Sequence, residues 1–138
     1  MANGSVQDGL LVTCGGVNVI ANSSVTSPTV GAEFVVEANP DVIIKLLSGT
    51  TNLTDYQTVY NEIISRPALQ DVNAVKSGRV YVCYWYLTTG ELYFVGELYF
   101  AKWLNPDLFA DIDPGAIHAQ MVQEYFGINL AGTWVYNG

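Results

Sequence analysis

Positive charge is scarce in this sequence, and its scarcity excludes several classes of protein. Only 5 Lys and Arg stand against 13 Asp and Glu among 138 residues, which gives a formal net charge of −8. Proteins that bind a phosphate backbone need clustered cationic side chains that displace counterions. We therefore expect no nucleic-acid partner and no attachment to an anionic membrane surface.

Long apolar runs and cysteines are also sparse. No apolar run approaches the roughly 20 residues that span a bilayer, and Met1–Ser5 lacks the basic start and apolar middle of a secretion signal. We expect a soluble chain without an export signal, in which residues 1–5 are a cloning remnant or a disordered start. Cys14 and Cys83 stand in apolar contexts without metal-binding or redox spacing, which favours two buried free cysteines over a disulfide.

Motifs for catalysis are missing as well. The sequence has no Gly-x-Ser-x-Gly elbow, no phosphate-binding Gly-rich loop and no second histidine beside His118. A lone histidine is rarely a metal site, so we predict that His118 is a surface or helix residue. Glu91 with Glu97 is the pair to consider for acid–base chemistry, whereas the three aspartates at 107, 111 and 113 fit turn and cap roles. The prediction is a protein that is not an enzyme and has no cofactor.

Apolar residues make up half of the chain, enough for one core, and their spacing predicts alternating elements. The predicted strands are a brief segment at 17–20 and two stronger runs at 41–47 and 80–86. The predicted helices are 34–38 capped by Thr29, 55–69 with a bend or an end at Arg66-Pro67, 93–104 and 114–126 capped by Asp113, with 6–14 either helical or extended. This order predicts a three-layer α/β/α fold with a small, mostly parallel sheet, in one domain over residues 6–138.

Several segments carry a family resemblance through their order and spacing over roughly residues 10–136. They are Cys14–Asn18, Pro28–Glu33, Asn39–Ile44, Ser65–Pro67, Ala74–Val82, Ala101–Phe109, Asp111–Pro114 and Tyr125–Gly127. Together they resemble the C-terminal lobe of the substrate-binding proteins of ABC transporters for iron-siderophore complexes, haem and cobalamin.

The resemblance implies a non-catalytic solute-binding protein located outside the cytoplasm, in the periplasm or at the cell surface. Members of that family have two α/β lobes and hold a metal-chelate ligand in the cleft between them, and this chain resembles one lobe alone. It is therefore either an excised fragment or a stand-alone descendant. Glu33 matches by position the acidic residue with which such lobes dock on the transporter's membrane subunit. Its alternative role is to stabilise a helix N-terminus.

Ligands of parallel sheets sit beyond the carboxyl ends of the strands. This rule selects Trp85 and Tyr86 for stacking on a flat ligand and Thr88 and Thr89 as hydroxyl donors. It also selects Ser27, from the loop at 21–29. Core packing and ordinary turn chemistry are the alternatives for these residues. Where the family often has a basic residue after this strand, the chain has Gly90-Glu91-Leu92, which makes a negatively charged ligand less favourable.

Two hypotheses about function remain open at this point. The first is the ligand-binding lobe of an importer for an iron complex, haem or cobalamin. The second is a stand-alone structural or interaction module that forms a homodimer through an unpaired sheet edge or the aromatic strand at 80–86.

Overall fold

The computed structural model of the chain describes residues 4–20 and 29–138, and within them helices and strands alternate. The helices are α1 (Val6–Thr13), α2 (Ala32–Ala38), α3 (Leu53–Ile64), α4 (Asn73–Lys76), α5 (Tyr93–Leu104) and α6 (Pro114–Phe126). The strands are β1 (Ile43–Leu47), β2 (Val80–Tyr84) and β3 (Val135–Tyr136). Three short 3₁₀ turns span Pro67–Leu69, Trp85–Thr88 and Gly90–Leu92.

The sheet has the order β1-β2-β3 and is mixed. Strands β1 and β2 run parallel, with Ile43 opposite Val80 and Leu47 opposite Tyr84. The third strand is antiparallel to β2 and pairs Tyr136 with Val82. The predicted α/β class with a small sheet is thus confirmed, and one antiparallel pair joins the parallel one.

Helices cover both faces of the sheet because strand side chains alternate between them. One core cluster contains Leu10, Phe100 and Trp103 and contacts Ile44 and Tyr81. The other cluster contains Leu69, Val72 and Val80 and contacts Ile43. Ile43 and Val80 are the chain neighbours of Ile44 and Tyr81, so their side chains point to the opposite face of the sheet. This arrangement is the predicted three-layer architecture.

The predicted ends of α5 and α6 are confirmed. Helix α5 has the predicted bounds, and α6 begins at Pro114 behind Asp113, whose Oδ1 accepts hydrogen bonds from the backbone N–H of Gly115 at 3.0 Å and Ala116 at 3.1 Å. Helix α6 ends at Gly127, which has a φ of 67°, the left-handed conformation that favours glycine.

Several predicted boundaries were wrong. Residues 17–20 form no strand: Val17 is 88% exposed, and Asn18 turns the chain by accepting a hydrogen bond from the N–H of Ile20. Strand β2 ends at Tyr84, and the chain then enters a 3₁₀ turn. Helix α2 is capped by Gly31 rather than Thr29. Of the two outcomes predicted for Arg66-Pro67, an end of the helix is the correct one: α3 ends at Ile64, and Pro67–Leu69 forms a separate 3₁₀ turn.

Both cysteines are free, as predicted. Cys83 is fully buried on β2, and desolvation raises the pKa of its thiol to about 12. Cys14 is half-buried at the end of α1, where its Sγ donates to the carbonyl of Glu97 at 3.6 Å. Neither thiol is therefore suited to act as a nucleophile near neutral pH.

Candidate functional site

An open pocket of about 370 Å³ lies at the carboxyl end of β2. Its lining comes from the end of the strand, from the segment that follows it and from the chain just before β3. The lining residues are Tyr84, Tyr86, Thr89, Gly90, Glu91, Leu92 and Trp134. This is the end of a parallel pair at which α/β proteins bind ligands.

The turn at Trp85–Thr88 sets the shape of the pocket because its centre is buried. Leu87 and Thr88 are both inaccessible to solvent. The Thr88 hydroxyl donates to the carbonyl of Trp85 at 2.7 Å and accepts from Nε2 of Gln7 in α1 at 3.3 Å. These contacts anchor the turn, and its exposed neighbours then face outward.

Aromatic rings form the pocket's walls. Tyr84 and Tyr86 have ring centroids 5.4 Å apart, and Trp134 meets Tyr84 edge-on at 5.2 Å. Trp134 is held in place by its own Nε1, which donates to the carbonyl of Ala131 at 2.9 Å, and by its backbone carbonyl, which accepts from the N–H of Tyr84 at 2.8 Å. The result is a surface on which a flat or cationic group can pack.

The residues predicted from sequence fall into different places. Tyr86, which is 54% exposed, and Thr89 line the pocket. Trp85 is 39% exposed and packs edge-on against Tyr86 at 5.5 Å, outside the pocket lining. The expectation that Thr88 offers its hydroxyl to a ligand is not met in this geometry, because that side chain is buried and bonded within the turn. Ser27 lies outside the described residues.

Sequence reasoning missed Trp134 and the wall that it forms. Trp134 precedes a strand of two residues, too short for any periodic pattern, and the antiparallel pairing of β3 with β2 brings it to the pocket. The loop after β1 is tied to the same segment, since the Thr133 N–H donates to the carbonyl of Thr51 at 2.7 Å. Only the tertiary structure unites these parts.

Behind Trp134 lies His118, which was predicted to be a surface or helix residue: it lies in helix α6 but not at the surface. The side chain is 1% exposed on α6, and its ring meets Trp134 edge-on at 4.8 Å. Neither ring nitrogen has a hydrogen-bond partner within the described residues. Burial consequently lowers the pKa of His118 below its usual value, because the interior disfavours the charged imidazolium.

This burial predicts a loss of stability in mild acid. The unfolded chain takes up a proton at His118 as the pH falls below about 6.5, whereas the folded chain resists protonation until a lower pH. The free energy of unfolding should therefore be lower at pH 5.5 than at pH 7.5, as measured by urea denaturation. His118→Leu should show a much smaller difference between the two pH values. An equal difference in both proteins would contradict this account.

Two features are absent from the described residues, a metal-binding cluster and a membrane-spanning helix. Residues 4–20 and 29–138 contain no cluster of three or more His, Cys, Asp or Glu side chains placed to hold a metal ion. Within the same ranges, no helix is both long and apolar enough to cross a membrane.

Comparison with known families agrees with this fold. The family model described as "Periplasmic binding protein" matches residues 1–85, more than half of the chain. The chain belongs to the periplasmic binding protein family. Such proteins bind small-molecule ligands and deliver them to the membrane subunits of ABC transporters, and the family implies a location outside the cytoplasm. No curated protein sequence matched the chain.

Solved structures show the same lobe inside longer proteins. The TroA-like periplasmic binding protein FepB from Veillonella parvula superimposes with a TM-score of 0.83 at 22% identity, over 96% of this chain and 42% of that protein. The molybdate periplasmic binding protein MolA from Haemophilus influenzae gives 0.73 at 24% identity, over 95% and 40%. A periplasmic solute-binding protein from Veillonella parvula DSM 2008 gives 0.64 at 19%, over 92% and 39%.

The chain therefore spans about two fifths of the length of each of these structural relatives. At these identities the similarity establishes the fold, a single lobe of the TroA-like type. The ligand and the partners of the whole proteins do not follow from it.

Proposed function

We propose that this chain is the C-terminal ligand-binding lobe of the solute-binding component of an ABC importer, and that its ligand is a metal complex such as an iron chelate, haem or cobalamin. The observation that carries the proposal is the aromatic pocket at the carboxyl end of β2, built around Tyr84, Tyr86 and Trp134. Aromatic faces bind large complexes with flat or apolar surfaces, and they provide contact area with little loss of side-chain entropy. The lobe performs no chemical turnover and acts in the periplasm or at the cell surface.

A single lobe supplies half of an enclosing site, so we expect affinity to be modest. The test is a thermal-shift titration with haemin, a ferric catecholate complex, cobalamin and the free metal salts. At ten times its Kd, a ligand that binds only the folded state should stabilise the chain by about 1.4 kcal/mol, or about 4 °C in Tm.

Tyr86→Ala tests whether the shift comes from the aromatic pocket, because this tyrosine is more than half exposed and contributes mainly contact area to the pocket. The variant should fold normally and lose most of the shift. A chain that shows no shift with any of the metal complexes would contradict the proposal.

We also propose that Glu33 docks the lobe on the importer's membrane subunits. Its carboxylate is exposed in the first turn of α2, where it can pair with a cationic side chain of a partner.

Glu33→Arg should weaken binding to the membrane subunits at least tenfold in a pull-down titration. The stability of the chain should fall by only about 1 kcal/mol, because the substitution also reverses the charge at the N-terminus of α2. Glu37→Arg, exposed on the same helix, is the matched control and should bind normally.

The alternative function is a stand-alone interaction module acting as a homodimer. Two observations favour it: within the described residues β1 is paired on one side only, and Tyr125, Phe126 and Ile128 at the end of α6 are largely exposed. Light scattering after size exclusion separates the two functions. A stable dimer without any ligand response would support the interaction module instead of the importer lobe.

A further inference from the structure

The charge of the pocket points to the class of ligand that it accepts. Glu91 is exposed and is the only ionisable acid or base among the lining residues apart from the tyrosines. A carboxylate beside tyrosine and tryptophan faces is a combination that attracts cations, because the ring faces are themselves electronegative.

Basic side chains do not offset this charge. The chain has five, all within the described residues, and none lines the pocket. Three of them contact other groups: Lys76 pairs with Asp71 at 3.3 Å, Arg79 donates to the carbonyl of Trp103 at 2.6 Å, and Lys102 donates to the carbonyl of Ile112. Residues 21–28, which the structure does not describe, contain no Lys or Arg.

One opposing contribution comes from helix α5, which begins at Tyr93, directly after the pocket residue Leu92. A helix N-terminus carries roughly half a positive charge and would attract an anion. Glu91 carries a full negative charge, lies next to the same terminus and outweighs it. The net charge of −8 acts in the same direction over longer distances.

We propose that the pocket selects a metal complex with a positive charge and disfavours anionic complexes. Glu91 is the residue that determines this specificity, with Tyr84, Tyr86 and Trp134 packing around the cationic group. The inference rests on the proposed function, which gives a metal complex as the ligand. It limits these complexes to those that carry a positively charged group.

The experiment uses three gallium complexes that share one neutral metal core and differ in the charged group at one end. Desferrioxamine B loaded with gallium carries a free ammonium group, its N-acetyl derivative is neutral, and its N-succinyl derivative is anionic. Binding is followed by NMR through the indole N–H signals of the chain, since gallium is diamagnetic. We expect the cationic complex to bind about fivefold more tightly than the neutral one, the factor given by one charge pair in a solvated site, and the anionic complex to bind most weakly.

Glu91→Gln should remove the preference for the cationic complex, and Glu91→Lys should reverse it. Glu37→Gln removes the same charge from an exposed site on α2 and should leave the preference unchanged, which separates a local effect from the effect of net charge.

Three results would overturn the inference. Equal binding of the three complexes, or tighter binding of the anionic one, would refute the charge selection and leave the proposed function intact. A preference that falls as much in Glu37→Gln as in Glu91→Gln would assign it to net charge and not to the pocket. If none of the complexes in this series or in the thermal-shift panel binds, the proposed function fails together with the inference.

Discussion

Gly96→Ala should destabilise the chain by about 3 kcal/mol, the cost of forcing an extra methyl into a closely packed contact. Gly96 lies in α5 where the helix crosses the Trp85–Thr88 turn. A Cβ at this position would lie 1.7 Å from the carbonyl oxygen of Leu87 and 2.8 Å from its carbonyl carbon. Both are backbone atoms of a fully buried residue, so the side chain cannot rotate away and the helix or the turn must move.

The matched control is Gly9→Ala in α1. No heavy atom of residues 4–20 and 29–138 lies within 4 Å of a Cβ built at Gly9, and its backbone is helical. Alanine should therefore stabilise the chain by about 0.5–1 kcal/mol, because it lowers the entropy of the unfolded state and favours the helix. Urea denaturation of both variants measures the difference.

The consequence for function follows from the same contact. The turn that Gly96 touches leads directly into the pocket, so a folded Gly96→Ala protein should also bind ligand less well. If the free energy of unfolding of Gly96→Ala lies within about 0.5 kcal/mol of that of the natural chain, α5 packs against this turn more loosely than the structure shows. The conformation of the turn then does not depend on Gly96.

Long periodic segments were the most predictable from sequence, for a physical reason. Helix α5 and helix α6 have apolar faces of several turns and carry their own boundaries: Asn105 after one, and Asp113, Pro114 and Gly127 around the other. The two parallel strands are nearly continuous apolar runs, interrupted only by Lys45, that suit a sheet covered on both faces. Local chemistry therefore determined these elements.

Short elements could not be predicted because tertiary contacts decide them. Val17–Ile20 has the composition of a strand, yet Asn18 bonds to Asp8 at 2.8 Å and turns the chain. The strand at Val135–Tyr136 has only two residues and exists because β2 offers it a partner. No window of sequence carries enough information for either.

The candidate site shows the same division. Tyr86 and Thr89 could be found because they follow a strong strand, at the position where parallel sheets bind ligands. The sequence could not show which of Thr88 and Thr89 lines the pocket. The two threonines are adjacent, and only the structure shows that the Thr88 hydroxyl bonds inside the turn. His118 is isolated in sequence, but in the fold its ring packs against Trp134, a residue 16 positions away.

Trp134→Ala should have the largest effect on the pocket itself. Trp134 contacts Tyr84 on one side and His118 on the other, and its indole nitrogen bonds to Ala131. Its removal leaves a gap between β2 and α6 that costs about 3 kcal/mol of stability, the low end for a tryptophan because this one is only half-buried. The affinity for any ligand of the pocket should fall at least tenfold, since a principal aromatic wall is gone.

Trp134→Phe separates packing from the hydrogen bond. Phenylalanine keeps a ring against Tyr84 and loses the bond to Ala131 with a smaller part of the contact area, so stability should fall by about 1 kcal/mol and most of the affinity should remain. The alanine variant should also lose much of the acid sensitivity of the natural chain, because water then reaches His118 and its pKa returns toward the usual value. If Trp134→Ala folds and binds a metal complex as tightly as the natural chain, the ligand occupies another surface of the lobe, and the aromatic pocket only joins β3 to the sheet.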